Sequence, residues 1–166
     1  MKLNNLNDLF MHELKDVYHA EHQIIKALPK MAKAATSNDL RNAFETHLRE
    51  TEKQIDRLDM VFEKLGEKAK GEKCKAMEGI IKEAEDMMSE NADSDVMDAA
   101  LIACAQRVEH YEIAGYGTLC TYAKQLGHKE VVDLLQMTLQ EEKNTDMKLT
   151  SIAESKINIK AQHKNR

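Results

Sequence analysis

The chain has 166 residues, enough for one domain with a sizeable core, and its one proline, six glycines, 42% hydrophobic and 32% charged residues suit long amphipathic helices rather than β hairpins. A net charge of −5 argues against a face that tracks nucleic-acid phosphates. No apolar run reaches the roughly 18 residues a membrane span needs, so neither nucleic acid nor membrane is an expected partner.

The N-terminus, MKLNNLNDLF, lacks the apolar segment of a signal peptide. A first helix is predicted from about Asn7 to Ala35, capped by Asn5 or Asn7 and kinked at Pro29, which removes the bond to Ile25. TSND at 36–39 is a short turn that caps a second helix, about Asp39 to Leu65. GEKAKGEK at 66–73 reads as a solvated loop. The following CKAMEGIIKEAEDMMSEN is a shorter amphipathic helix with Met77, Ile80, Ile81, Ala84, Met87 and Met88 on one side. A third long helix runs from about Val96 to Leu126 and stops at Gly127. A fourth covers about Lys129 to Ser155, and residues 156–166 are expected to form a flexible basic tail beyond a domain spanning 1–155. Cys74, Cys104 and Cys120 are odd in number and make no CxxC, so free thiols in a reducing cytoplasm are expected.

Two tight turns define two antiparallel hairpins, and the link between them is long enough to return along the bundle. The predicted class is therefore all-α, an antiparallel four-helix bundle with one long crossover containing a short fifth helix, the connectivity of ferritin-like folds.

The apolar stripes of these helices are interrupted at one level. The first passes through Phe10, Leu14, Val17, Ile24, Leu28 and Met31, and its missing member is Glu21. On the third helix Glu112 fills the gap between Val108 and Gly115, with Glu109 one turn away. On the fourth, Glu142 and Asp146 lie between Leu139 and Leu149. The second is broken by His47, Thr51 and Gln54, with Glu50 on the edge of that face. Counting from each turn at 1.5 Å per residue puts Glu21, Glu50, Glu112 and Glu142 roughly 20–22 Å from their hairpin ends. A bundle that pairs the hairpins brings these carboxylates together. They then need bound metal, protons, or pairing with His47, Lys53 or His110, since desolvating each charge costs several kcal/mol. Several convergent oxygen ligands match metal best, with iron or manganese the suited ions.

AEHQ, HLRETEKQIDRLD, KCKAMEGIIKEA, DAALIACAQRVEHYEIAGYGTL and EEKNTDMKLTSIA, spread over about residues 6 to 155, resemble the bacterial YciF branch of the YciE/YciF ferritin-like family. The resemblance implies a ferritin-like bundle, a homodimer and an association with stress response. The wider superfamily, rubrerythrin included, implies metal ligands at Glu21, Glu50, Glu109, Glu112 and Glu142. Its two Glu-x-x-His motifs are broken here, because Lys53 and Thr145 stand where the histidines belong. His47, one turn before Glu50, and Asp146 are the substitute ligands. Tyr18 and Gln54 are candidates to hold ligand carboxylates from behind.

Two functions compete on this reading. One is a carboxylate-rich dimetal protein, with iron or manganese, acting on a small oxidant (O2 or peroxide) or on ferrous iron. The other is a non-enzymatic dimeric helical stress or scaffold protein that has lost the metal.

Overall fold

A computed structural model describes residues 3–163. Helix α1 spans Leu6–Ala34, α2 Asn38–Lys64, α3 Lys75–Ser89, α4 Ser94–Gln125 and α5 Lys129–Ile152; a π-helical turn, Ala153–Ile157, leads into a short α6, Asn158–Gln162. The Asn5 side chain caps α1 by accepting from the Asp8 N–H at 2.9 Å. Pro29 lies inside α1, on its exposed side, without ending it. Gly66 and Gly127 follow α2 and α4 with φ of 70° and 81°, the left-handed conformation that terminates a helix most cheaply at glycine.

α1 packs on α2 and α4, and α5 packs on α2 and α4. The end contacts give the directions. Thr36, just past α1, meets Asp98 near the start of α4, while Lys64 at the end of α2 pairs with Glu130 at the start of α5. Each neighbouring pair among α1, α2, α4 and α5 is therefore antiparallel, and the segment between α2 and α4 is the long crossover. α3, carried on that crossover, lies across α1 and α4.

The apolar core is divided. One cluster includes Phe10, Leu14, Leu58, Phe62, Leu119 and Leu135, drawn from the α1–α2 and α4–α5 ends nearest the α4–α5 turn. The other includes Ile24, Leu28, Met31, Phe44, Leu101 and Leu149, and is extended by Met77 and Ala84 of α3. Between them lies a layer of buried polar side chains at mid-height. At Gly115 a Cβ would come within 3.1 Å of Val17, so this glycine lets α4 approach α1 closely; Gly117 faces open space and has no such role.

Two expectations change. The tail from 156 does not fray at once: Ile157 is buried against the α4 side of the bundle, and Lys156 pairs with Asp39. The π turn sets Ile157 inward on the face of Leu149 and Ala153, and the helix continues through Gln162 with no residue of α6 buried. The GEKAKGEK loop is also tied down at its far end. Glu72 donates its N–H to the Lys15 carbonyl at 3.1 Å, and Gly71 sits against His19, leaving no room for a side chain.

Asp98 carries the α1–α2 turn. Its buried carboxylate accepts from the Thr36 and Ser37 N–H groups, each at 2.8 Å, and from the Thr36 hydroxyl at 2.7 Å. Asp98→Ala is expected to lower unfolding free energy by about 1–3 kcal/mol in a urea titration, because these donors lose their acceptor. A loss below about 0.5 kcal/mol, typical of an ordinary surface change, would contradict this role.

Candidate metal centre

Each bundle helix places a polar side chain on the inner face of its stripe, where the polar layer separates the apolar clusters. Glu21 comes from α1, His47 and Gln54 from α2, Glu109 and Glu112 from α4, and Glu142 from α5. All are at most 2% exposed, a level at which an acid or imidazole must find a partner inside the protein. His47, Glu109, Glu112 and Glu142 can each offer one ligand atom such that all four lie within 4.8 Å of one another. That spread is roughly twice a metal–oxygen bond of about 2.0–2.2 Å, the span across one coordination sphere.

Protein hydrogen bonds satisfy only part of this layer. The Tyr116 hydroxyl donates to Glu21, and the Gln54 amide donates to Glu142. His47 Nε2 is 3.1 Å from Glu109 Oε1 and 4.0 Å from Glu142 Oε2, but neither ring nitrogen makes an aligned hydrogen bond. Both carboxylate oxygens of Glu112 and one oxygen each of Glu21, Glu109 and Glu142 are buried without a hydrogen-bond partner. So many orphaned acceptors around one point are the signature of a group that binds a cation or protons. The residues present fit a metal ion.

The electrostatics follow from this crowding. Burial pushes Glu21 up to about 7, against the pull of Tyr116, Glu112 and His47. Burial, then the charges of Glu142, Glu21 and Glu109, holds Glu112 well above the carboxylate range. Glu142 is raised by burial and by Glu109, with His47 opposing. Burial works against a charged His47, yet Glu109, Glu50 and Glu142 overcome it and raise its pKa well above that of free imidazole.

Around the layer, Arg57 anchors a supporting chain. It donates to Glu141 through both guanidinium arms at 3.0 Å and to Thr138 at 2.6 Å. Glu141 in turn accepts from Gln54 at 3.0 Å, the same amide that holds Glu142. Gln54, a candidate to orient Glu50, instead holds Glu142, with Arg57 and Glu141 behind it. Tyr18 does not turn to Glu21; its hydroxyl donates to Asp59 at 2.9 Å, and Tyr116 takes the place beside Glu21. Tyr116 is readable after the fact, four residues beyond Glu112 on the same face.

Glu50 stands at the edge rather than in the buried group. It is part-exposed, its carboxylate 3.9 Å from His47 Nδ1, and the nearby imidazole holds it below the ordinary carboxylate range. Lys53 is exposed on α2 and attracts Glu50. Asp146 is directed to Gln106, at 3.0 Å, and to exposed His110, at 3.3 Å. The three cysteines are free and buried. Among the described residues, no helix is long and apolar enough to cross a membrane.

The fold and this layer define a ferritin-like four-helix bundle with a histidine–carboxylate cluster in its core. A family described as a domain of unknown function, DUF892, matches residues 5–162, and the chain belongs to it. It is 49% identical over 165 residues to Protein YciF of Escherichia coli, spanning 99% of each sequence. The crystal structure of that protein, described as a stress protein, matches with a TM-score of 0.90 at 49% identity over 94% of this chain and 99% of the other. YcfI of Rhodopseudomonas palustris, suggested to be a structural protein, matches at 0.90 and 51% identity over 92% and 97%. A Xanthomonas campestris protein at 19% identity and 0.76, covering 98% of this chain and all of its own, shares the fold.

Glu21, Glu112, Glu142 and His47 all hold their protons to higher pH folded than unfolded, so between about pH 5 and 8 the native state binds more protons and stability falls as pH rises. For Glu21 the window runs from its ordinary 4.5 to about 7. Metal-free protein is expected to melt at a lower temperature at pH 8 than at pH 6. An equal or higher melting temperature at pH 8 contradicts the burial of these charges.

Proposed function

We propose that the chain is a stress-associated ferritin-like protein whose core cluster holds iron or manganese and brings it to a small oxidant. The observation that carries this reading is the set of orphaned buried oxygens converging with His47 between two apolar clusters. His47, Glu109, Glu112 and Glu142 would hold a first ion, and Glu21 would reach a second from the α1 side. Four carboxylates carry the charge that two divalent cations neutralise, with His47 neutral as a nitrogen ligand. Such a centre, when loaded, supplies redox or Lewis-acid chemistry.

The protein's own groups prepare the site. Tyr116 orients Glu21 and offers a proton beside it. Gln54, braced by Glu141 and Arg57, fixes Glu142. The apolar clusters on either side exclude bulk water. α2 supplies its nitrogen ligand one turn before Glu50 rather than one turn after, which compensates on that helix for Lys53. Thr145 on α5 has no such substitute, so the site is richer in oxygen than the superfamily pattern.

A structural role without metal is the second reading. It is favoured by the partners the acids already have, Tyr116 for Glu21, Gln54 for Glu142 and His47 for Glu109. The two readings part on metal linkage. At a free concentration a hundred times Kd, a bound ion adds about 2.7 kcal/mol, which raises the melting temperature of a domain this size by roughly 5–10 °C.

Protein purified aerobically is expected to retain iron or manganese, and metal-stripped protein to show that rise on adding Mn(II) or anaerobic Fe(II). Glu112→Gln, which keeps the shape and removes the charge, is expected to lose both effects while staying folded. Wild type that is metal-free and thermally indifferent to both ions would establish the structural reading instead.

A further inference from the structure

We infer that the cavity enclosed by α1, α3 and α4 is a holding and entry site for a small uncharged apolar molecule of dioxygen's size, placed against the core cluster. The inference deepens the reading of that cluster as a metal centre and rests on it for its purpose, though not for its geometry. Ile24 and Met31 of α1, Ile81 and Ala84 of α3, and Ala105 and Val108 of α4 form its walls. Glu109 also lines it, and its side chain belongs to the buried cluster, so the cavity and the candidate ligands share a wall. About 20 Å³ is open to the centre of a water-sized sphere, enough for one very small molecule.

The chemistry of the walls selects the occupant. Water in a buried site needs roughly two to four polar partners; here Lys30 and Glu85 are paired with each other at the edge, which leaves Glu109 as the one polar group farther in, and apolar spaces of this kind stay dry and take apolar guests. A hydrated cation entering here would shed its water against hydrocarbon, at a cost of several kcal/mol. A neutral diatomic molecule meets no such barrier. The walls also narrow the space with alanine rather than filling it. Ala84 and Ala105, both buried, stand where a larger apolar side chain would close the gap.

The mouth is lightly held. Lys30 of α1 and Glu85 of α3 line the cavity where it reaches solvent, and they join across it at 2.7 Å. The Lys30 side chain is exposed and that of Glu85 part-exposed, and a surface pair of this kind contributes about 1 kcal/mol or less, so it parts readily. α3 rides on the crossover and, among its described residues, buries only Met77 and Ala84, so it can give slightly without disturbing the four long helices. A route therefore runs from the surface, between α1 and α3, to the Glu109 side of the cluster.

Xenon is the probe, because it occupies dry apolar cavities whether or not metal is present. Crystals of metal-free wild type under xenon pressure are expected to show a xenon peak bounded by Ile24, Met31, Ala84 and Ala105. Ala84→Leu is expected to abolish the peak. With ferrous iron loaded, the same variant is expected to consume oxygen several-fold more slowly at unchanged iron affinity. Ala105→Leu, from the opposite wall, repeats the test and covers the case in which Ala84→Leu does not fold. An empty cavity in the wild type overturns the inference. So does unchanged oxygen consumption in a folded variant whose xenon peak is gone. Xenon in the cavity of a wild type that binds no metal supports the gas site and sinks the metal reading alone.

Discussion

Acids buried at the middle of a helical bundle set the terms for everything else in this molecule. Glu21, Glu109, Glu112 and Glu142 have almost no contact with solvent, and each carboxylate removed from water costs several kcal/mol unless its charge is met. His47 meets part of it from 3.1 Å, Tyr116 and Gln54 meet part with hydrogen bonds, and a residue of orphaned oxygens is left over. A core built only for stability would use leucine at these positions. The polar layer is retained against that gradient, which is why it points to a function that needs convergent oxygens.

The fold can carry this layer because the two apolar clusters flank it. Each draws on all four bundle helices, so the helices are gripped above and below the acids and cannot splay to let water in. The hairpin turns set the heights, and the crossover reverses the second hairpin so that all neighbours run antiparallel. Asp98 and Gly127 fix the turns; Gly115 lets α4 sit close to α1 at the level where Tyr116 reaches Glu21. α3 adds a wall that the bundle alone lacks, and beside it lies the apolar cavity that borders Glu109.

Much of this was legible in the residue order. A 3.6-residue period exposes an acid on its own buried stripe, so Glu21, Glu112 and Glu142 stood out, and counting back from Gly127 placed two of them level. Glu50 was drawn in by its height above the turn, although the α2 stripe runs His47, Thr51, Gln54 and leaves Glu50 about 60° off it. What was not legible depends on partners across helices. Nothing local says that Tyr18 turns to Asp59 while Tyr116 takes Glu21, or that Arg57 reaches Glu141 to brace Gln54. Nor does anything local place His19 half-buried beneath the loop, where its ring nitrogen meets the Cys74 N–H at 3.3 Å. The tail was misjudged because its basic composition hid Ile157, and the π turn that brings Ile157 inward breaks the ordinary period.

The membership of the family and the likeness to the Escherichia coli stress protein fix the scaffold, and the chemistry rests on whether a cation sits where the acids converge. Anomalous diffraction from crystals grown with Mn(II), collected at an energy where manganese scatters strongly, asks this directly. A peak is expected within bonding distance of His47, Glu109, Glu112 and Glu142. A map without a peak there, in crystals whose surface sites have bound manganese, would contradict the metal reading.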